Sequence, residues 1–435
     1  MMENSTIIPI PHFDEVVLTE GNTLSAHILV QERGDGFASY MRGRLAEDLL
    51  LYVQRIDAHC AVSQHLAAAR ALDRCYDVSP PKKAMTLRRG LAYVGLYYHH
   101  LEQLFLSRSS DGGGIAGLIK TDAELIADEV FETLRSTQGL ITVLGGRGLT
   151  PERGIPGGMT KGITDDELAR AEEMASKLLE FALRVAAGFS SSGSAWVIDH
   201  DLALPAFSLA TVNDDGQASL YDGELRIVDP QGSEMAQGEV EKIFPLLRPW
   251  KEERPLRVGS LARLNATSGA STPQAKALQK EIFDALGEPP IHRAAAGHWA
   301  MVIELVQAAE LLAEALAELE GDDSEVSSSL NEPGEGFAAI EGASGTLIHR
   351  YVIDEGGIVR EAEVVSPTSL RISEVNAALS AVVSDGTQAV TADLIEQIVS
   401  VIGFYQPAYV PSAAFPLRIT LRDEQGKISK EWRRP

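Results

Sequence analysis

The chain has 435 residues, of which 45% are hydrophobic and 23% charged, the composition of a soluble globular protein with material for a large core. Its formal net charge of -24 disfavours nucleic acids and anionic membrane surfaces as partners, because both attract basic proteins. Two cysteines, the lack of any run of roughly 20 apolar residues and the lack of a secretory signal pattern predict a cytoplasmic protein without membrane insertion.

The first predicted elements are a β-hairpin and two long helices. An apolar run, a turn and an alternating apolar run predict the hairpin over residues 15–31. Helical periodicity begins at Leu45, stops at Pro80-Pro81 and resumes over 85–106. Thr121 followed by Glu124 is a capping box, which predicts that the next helix begins there.

The middle of the chain is predicted to contain a loop, a helix and strands. Segment 145–162 is rich in Gly and Pro but lacks the known phosphate-binding patterns, so we expect a packed connection. Thr164 and Glu167 form a second capping box, at the start of an amphipathic helix that ends near Gly188. Residues 195–230 have the alternation and turns of strands.

The last third is predicted to mix helices and strands. Thr272-Pro273 marks the start of a helix that stops at Gly287, and a further helix is predicted over 298–319. Residues 321–336 are acidic and rich in Ser, which predicts a solvated loop. After it we expect, in order, strands over 346–353 and 358–365, a helix over 391–402 and a strand over 417–421.

The chemically richest side chains stand together at the start of an apolar helix: Arg55, Asp57, His59, Cys60 and His65. Zinc accepts carboxylate, imidazole and thiolate ligands, so a zinc site is one interpretation of this cluster. The other is a set of buried polar side chains that bond to one another, with Cys60 as a small buried residue.

Several stretches, in this order, resemble the large subunit of nickel-iron hydrogenases, closest to the soluble cytoplasmic type: RIDAHCAVSQHLAAARALD, GLIK, GGRGLTPERGIPGGMTK, RVGSLARLN, GTLIHRYVIDEGGI and FYQPAYVPSA. The resemblance covers nearly the whole chain. It implies an α+β, mainly α fold, with a central bundle of long helices and small peripheral β regions.

Within that family, nickel is held by four cysteine thiolates from two CxxC motifs, a soft ligand set. The matching positions in this sequence are Asp57, Cys60, Ala408 and Pro411, so one cysteine is kept. The family's PRG motif is matched by Ala343-Ser344-Gly345. The resemblance therefore implies a degenerate member in which these four positions are vestigial. We expect that this chain binds no nickel-iron centre and no other cofactor.

Polar side chains near these positions would line a residual cavity: Arg55, His59, His65, Ser344 and Gln406. A quinone-like or other small molecule is one possible occupant, because the quinone-site subunit of respiratory complex I resembles the same family and also lacks the metal ligands.

The resemblance implies one domain over residues 1–435. Its segments are expected to be a β region over 1–45, core helices over 46–190, a β insertion over 191–260, helices over 261–320, an acidic loop over 321–336 and a β/α region over 337–435.

The functional expectation is a non-catalytic structural subunit of a cytoplasmic electron-transfer complex. It would dock an iron-sulfur small subunit of hydrogenase type, with further redox subunits, and the iron-sulfur clusters would lie in the partner. Two alternatives stay open: a maturation scaffold for hydrogenase assembly, and an enzyme with a repurposed cavity.

Overall fold

A computed structural model defines residues 15–21, 24–29, 34–57, 60–106, 123–190, 197, 202–322, 324–383, 390–405 and 417–434. The helices are α1 (Gly34–Met41), α2 (Ala46–Tyr52), α3 (Ala61–Cys75), α4 (Lys82–Leu101), α5 (Ala123–Gly145), α6 (Asp165–Ser190), α7 (Val240–Glu253), α8 (Ser260–Ala266), α9 (Pro273–Leu286), α10 (Ala296–Ala317), α11 (Pro367–Val383) and α12 (Ala392–Phe404). A 3-10 turn, Val53–Arg55, follows α2, and a π-helical turn, Glu102–Leu106, follows α4.

The strands are β1 (Glu15–Thr19), β2 (Ser25–Leu29), β3 (Gly154–Ile155), β4 (Gly158–Met159), β5 (Phe207–Val212), β6 (Glu224–Val228), β7 (Glu234–Gly238), β8 (Leu256–Arg257), β9 (Glu335–Gly342), β10 (Gly345–Ile353), β11 (Val359–Val365), β12 (Leu417–Arg422) and β13 (Ile428–Arg434). They form sheets in the orders β13-β12-β1-β2, β11-β10-β9, β3-β4 and β7-β6-β5-β8.

Long helices dominate this architecture. Helices α3, α4, α5, α6 and α10 pack around one large apolar core, to which the sheet β11-β10-β9 also contributes side chains. The two four-stranded sheets pack mainly in separate apolar clusters. The mainly helical α+β prediction is therefore confirmed, whereas the single domain over residues 1–435 stays a prediction. Within the described residues, no helix has the length and apolar character needed to cross a membrane.

Strands from both ends of the chain share one sheet. Strands β1 and β2 pair antiparallel, with Val17 opposite His27, which confirms the predicted hairpin. Strand β12, where a strand was predicted, runs parallel to β1. Its Leu417 and Ile419 are buried against α11 and α12. Strand β13 was not predicted, because its sequence is mostly charged and lacks an apolar face.

Helix starts follow the capping signals. Thr164 N donates to Glu167 Oε2 at 3.0 Å and Glu167 N donates to Thr164 Oγ1 at 3.3 Å, so the second capping box is confirmed. Helix α9 begins at Pro273 with Thr272 as its N-cap, also as predicted. The capping box at Thr121 lies outside the described residues.

The strands of the inserted sheet begin later than the sequence pattern predicts. The first, β5, starts at Phe207, and the sheet continues to Arg257. In the C-terminal region, β10 and β11 confirm the two strands predicted there. Strand β9 was missed because its first residues were assigned to the acidic loop.

Helix α3 lies at the centre of the fold. All of its residues except Arg70 and Arg74 are buried. It packs against β9 and β10 on one side and against α2 and α4 on others. The run Ala67-Ala68-Ala69 is fully buried, which allows these neighbours to approach closely.

Polar side chains of α3 and α4 hold the glycine-rich loop. Asp73 Oδ1 accepts from Gly157 N at 2.7 Å, and Arg88 Nη2 donates to Gly158 O at 2.8 Å. The same two side chains form a buried ion pair at 2.5 Å between Arg88 Nη1 and Asp73 Oδ2. Charged side chains therefore hold the loop against the helix core. The loop is a packed connection and not a phosphate-binding loop.

The backbone of the acidic segment pairs with the glycine-rich loop. Met159 N donates to Val326 O at 2.7 Å, and Ser328 N donates to Gly157 O at 2.9 Å. A Cβ on Gly158 would overlap Val326 O, so this close approach requires glycine. The side chains of residues 324–332 are exposed or half-buried, which confirms the solvated loop. The backbone pairing of residues 326–328 with the glycine-rich loop was not predicted, because composition does not reveal it.

A buried charge network joins α4, α8, α10 and β9. Arg263 Nε donates to Glu304 Oε1 at 2.5 Å, and Arg263 Nη1 donates to Glu341 Oε2 at 2.6 Å. The second oxygen of Glu304 accepts from His100 Nε2 at 2.8 Å and from Ser260 Oγ at 2.6 Å. Burial would raise the pKa of Glu304, but the adjacent Arg263 guanidinium holds it well below its usual range. The carboxylate is therefore ionised inside the core.

Replacing Ile419 by alanine tests whether the C-terminal sheet is part of the stable core. Ile419 is fully buried in β12, so we expect Ile419→Ala to lower the free energy of unfolding in urea by about 2–5 kcal/mol. The matched control is Ile428→Ala in β13, where the side chain is 41% exposed and the loss should stay below about 0.5 kcal/mol. Equal losses would contradict the buried position of β12.

Replacing Arg263 by methionine tests the charge network. Arg263→Met leaves two buried carboxylates without their guanidinium partner, and we expect a loss of about 3–5 kcal/mol in urea unfolding. Arg350 is the matched control, since it also pairs with two glutamates but at the surface. Arg350→Met should cost less than about 1 kcal/mol, and a similar cost for both variants would show that the buried pairs do not hold this part of the core.

Candidate functional site

The retained cysteine lies at the N-terminal end of α3. Cys60 is the N-cap residue and is 2% exposed. Its Sγ lies 3.3 Å from Ser344 Oγ. Burial raises the pKa of the Cys60 thiol far above its usual value, and the negative charge of Asp57 raises it further. The thiol is therefore neutral in this environment, and a neutral thiol is a poor nucleophile.

Ser344 owes its position to a tight turn between β9 and β10. Gly345 has a φ of +129°, and a Cβ there would lie 2.8 Å from Gly259 N, so only glycine fits. Gly342, at the other side of the turn, lies against the side chain of Ser63 in α3. The two glycines bring the turn close enough to α3 for Ser344 to reach Cys60.

Arg371 in α11 fixes the same turn from the opposite side. Its Nη2 donates to Ser344 O at 2.5 Å and to Val258 O at 2.8 Å, and its Nη1 donates to Tyr405 O at 2.6 Å. One buried guanidinium thus joins three separate segments of the chain. Sequence reasoning missed Arg371, although an isolated arginine inside a mostly apolar helical segment was an available signal.

A small cavity adjoins this arrangement. Its lining includes Ser260, Ala343, Arg371 and Tyr405, and its volume is about 30 Å³. A space of this size accommodates a water molecule or two, whereas sites for organic ligands measure roughly 300–1,000 Å³. The cavity therefore gives no support to the expectation of a quinone-like occupant.

Two of the predicted site residues lie away from Cys60. Arg55 is exposed, and its guanidinium stacks over the Tyr52 ring at 5.4 Å. His65 is buried, but Nε2 accepts from Gly154 N at 3.1 Å in the glycine-rich loop. Burial lowers the pKa of His65 to about 4, so the ring is neutral. Five residues advance a helix by about 140°, which turns His65 away from the face of Cys60.

The remaining predicted positions fall outside the described residues: His59, Gln406, Ala408 and Pro411. Of the nine candidate residues, the structure brings together Asp57, Cys60 and Ser344.

Gln64 continues the polar contacts of this helix face, one turn after Cys60. It stands where the family motif has histidine, and its Oε1 lies 2.9 Å from His349 Nε2. His349 Nδ1 lies 2.6 Å from the hydroxyl of Tyr351. Burial lowers the pKa of His349 to about 3, so a neutral imidazole donates to Gln64 and accepts from Tyr351. Sequence reasoning missed this pair, because 285 residues separate its members.

The second cysteine is remote from the first. Cys75 ends α3 and its Sγ donates to Tyr351 O at 3.5 Å. Burial raises the pKa of this thiol to about 12. At 1.5 Å per residue, the two thiols lie about 20 Å apart along the helix. The described part of the site supplies one thiol, and no three His, Cys, Asp or Glu side chains among the described residues are placed to hold a metal ion.

Comparison with known proteins identifies relatives over most of the chain. No protein-family model matches the sequence. The chain is 27% identical to a protein named as an iron-sulfur subunit of the F420-non-reducing hydrogenase from Archaeoglobus profundus, over 94% of each chain. It is 26% identical to the beta subunit of the NAD-reducing hydrogenase HoxS from Cupriavidus necator, over 91% of each chain.

Solved structures resemble the fold over a similar length. The structure of a NAD+-reducing nickel-iron hydrogenase in the H2-reduced state matches with a TM-score of 0.73 and 23% identity, over 88% of this chain and 92% of that one. A nickel-iron-selenium hydrogenase from Desulfovibrio vulgaris Hildenborough matches with a TM-score of 0.66 and 16% identity, over 91% and 98%. These likenesses confirm the hydrogenase large-subunit fold.

The expectation that this chain binds no cofactor has to be corrected. The relatives are hydrogenase subunits, and the similar structures are named as nickel-iron and nickel-iron-selenium hydrogenases. The sequence offers only two cysteine ligands, but this count does not show that the chain binds no metal centre. The predicted absence is therefore withdrawn.

Sequence and structure point to the same family. The resemblance in motif order spans the chain from the α3 region to the end of α12, relatives match over as much as 94% of it, and the fold match has a TM-score of 0.73. The protein is a hydrogenase-related subunit. The chain has the fold of nickel-iron hydrogenase large subunits, and its sequence is similar to those of hydrogenase subunits over most of its length.

Proposed function

We propose that this chain is a non-catalytic, structural subunit of a cytoplasmic redox complex, in which it docks an iron-sulfur small subunit. The observation that carries the proposal is the state of Cys60. At the one motif position that keeps a cysteine, the thiol is buried, neutral and hydrogen-bonded to Ser344. Nucleophilic catalysis at this position would require a reactive thiolate, which this environment disfavours.

The internal architecture supports a structural role. Buried charged groups fasten the glycine-rich loop to α3 and α4, and join α8, α10 and β9. Buried ion pairs of this kind fix the segments that they join, because breaking one leaves an uncompensated charge in the core. The surface that a partner would contact is therefore held in place, and this role requires no reaction by the chain itself.

The nature of the partner is proposed from the names of the relatives. One relative is named as a hydrogenase iron-sulfur subunit, and another belongs to a NAD-reducing hydrogenase. Subunit names of this kind belong to assemblies of several chains, and the resemblance to hydrogenase large subunits makes an iron-sulfur small subunit the partner that we infer, with further redox subunits beyond it. The cytoplasmic location rests on cysteine usage, since both thiols are free and buried.

The maturation-scaffold alternative receives less support. A cysteine that carried ligands in transit would need an accessible thiolate, and Cys60 is neither exposed nor ionised.

A cysteine replacement tests the non-catalytic role. In the complex isolated with this chain, we expect Cys60→Ala to leave subunit stoichiometry, iron content and electron-transfer activity unchanged, because the thiol only packs and forms one hydrogen bond. Cys75→Ala is the matched control, since it removes the same atom from the other end of α3.

Two outcomes would overturn the proposal. One is a Cys60→Ala complex that assembles normally but loses activity while the Cys75→Ala complex keeps it. The other is stoichiometric nickel in the wild-type complex that disappears in Cys60→Ala. Either result would assign the chemistry to this chain.

A further inference from the structure

Residues 324–331 form a strap that crosses the glycine-rich loop and the turn between α3 and α4. The strap contains no helix, and a single β-bridge joins its Ser327 to Gly158. Both of its ends are firmly placed, because Leu319, just after α10, is 3% exposed and strand β9 begins at Glu335. The strap is therefore a short irregular segment between two fixed points.

Backbone hydrogen bonds join the strap to the glycine-rich loop. Ser328 N donates to Gly157 O at 2.9 Å, and Met159 N donates to Val326 O at 2.7 Å. These bonds lie along one edge of the two-stranded β3-β4 sheet. The strap therefore takes the place that a third strand would have in this sheet.

Further hydrogen bonds join the strap to the turn that follows α3. Asn331 N donates to Tyr76 O at 3.3 Å, and Asn331 Nδ2 donates to Asp77 O at 2.7 Å. Ser328 Oγ donates to Ser79 O at 3.0 Å. Each acceptor is a backbone carbonyl, and both side-chain bonds are exposed to solvent. Water can take the place of either partner in such a bond, so these contacts add little net stability.

The side chains of the strap make few contacts with the core. Only those of Val326 and Ser328 are half-buried, and the others are exposed. Glu325, the one charged residue of the strap, forms no ion pair with the described residues. The glycine-rich loop, in contrast, is held by the buried ion pair of Asp73 and Arg88. The strap is therefore attached more weakly than the loop that it crosses.

An open groove lies between the strap and the start of α4. Its volume is about 600 Å³, and it is lined by Lys83, Gly162 and residues 324–329. A polar space of this size holds many water molecules, so water also reaches the inner side of the strap. Segments with solvent-exposed hydrogen bonds and few buried apolar contacts are the ones that open locally while the rest of a fold stays intact.

We propose that the strap is a conformational device: residues 324–331 open together as one unit, while the glycine-rich loop and α3 stay packed. Opening breaks the bonds at Gly157 O and Met159 N and uncovers the edge of β4. An uncovered strand edge is a site at which an extended segment of another chain pairs. The closed strap therefore blocks this edge. The inference does not depend on the proposed function.

Hydrogen exchange of the full-length chain, resolved by residue with mass spectrometry, tests this inference. We expect the amides of Met159, Ser328 and Asn331 to have similar protection factors, about 100-fold or more below those of residues 67–69 in α3. The amide of Gly157 is the internal control, because it donates to a buried carboxylate of α3 at 2.7 Å. It should be protected as the core is, although it lies two residues from Met159.

A substitution in the strap tests whether it opens as one unit. Val326 is its half-buried apolar side chain, so we expect Val326→Ser to speed exchange at the three strap-bonded amides by a common factor of about five or more. The Gly157 amide should not change. Val399→Ser is the matched control, since Val399 is half-buried against a separate apolar cluster, and it should leave all of these amides as they are in the wild type.

Two results would overturn the proposal. One is equal protection of Met159 and Gly157 in the wild-type chain, which would mean that the strap opens only together with the core. The other is a Val326→Ser variant in which only one of the three amides exchanges faster. The wild-type comparison needs no substitution, so it decides the question even where a variant is unstable.

Discussion

Helix α3 imposes the main constraint on this structure, because it is buried on nearly every side. A helix in that position needs small residues where its neighbours come closest, and it needs a partner for every polar side chain. The alanine run 67–69 meets the first need. Asp73 meets the second through Arg88, His65 through the glycine-rich loop, and Gln64 through His349. Each contact fixes a segment that lies far away in the sequence.

The same burial decides what the retained cysteine can do. A thiol at the end of a fully packed helix is cut off from water, so its proton is held and its reactivity is low. Asp57 adds a negative charge beside it, and Ser344 supplies its hydrogen bond. Packing and electrostatics therefore act together, and both keep the proton on the Cys60 thiol.

The local parts of this fold were predictable from sequence, and the long-range contacts were not. Capping at Thr164, the N-terminal hairpin and the strand at 417–421 depend on neighbouring residues, so their patterns are visible in the sequence. The site depends on pairs such as Arg371 with Ser344, whose segments meet only after folding. Helical phase was also decisive, since it turned Arg55 outward and His65 toward a different loop.

The interior and the surface of this protein differ in how their charged groups are paired. Inside, Arg263 and its glutamates are matched, and each group is satisfied by a protein partner. On the surface of this strongly acidic chain, ion pairs such as those of Arg350 with Glu335 and Glu361 are open to water. Unmatched charge costs little in water and gains energy only when a complementary surface covers it. Charged groups therefore matter most to this fold in the buried network around Arg263, where an unpaired charge is costly, and they contribute little at the surface.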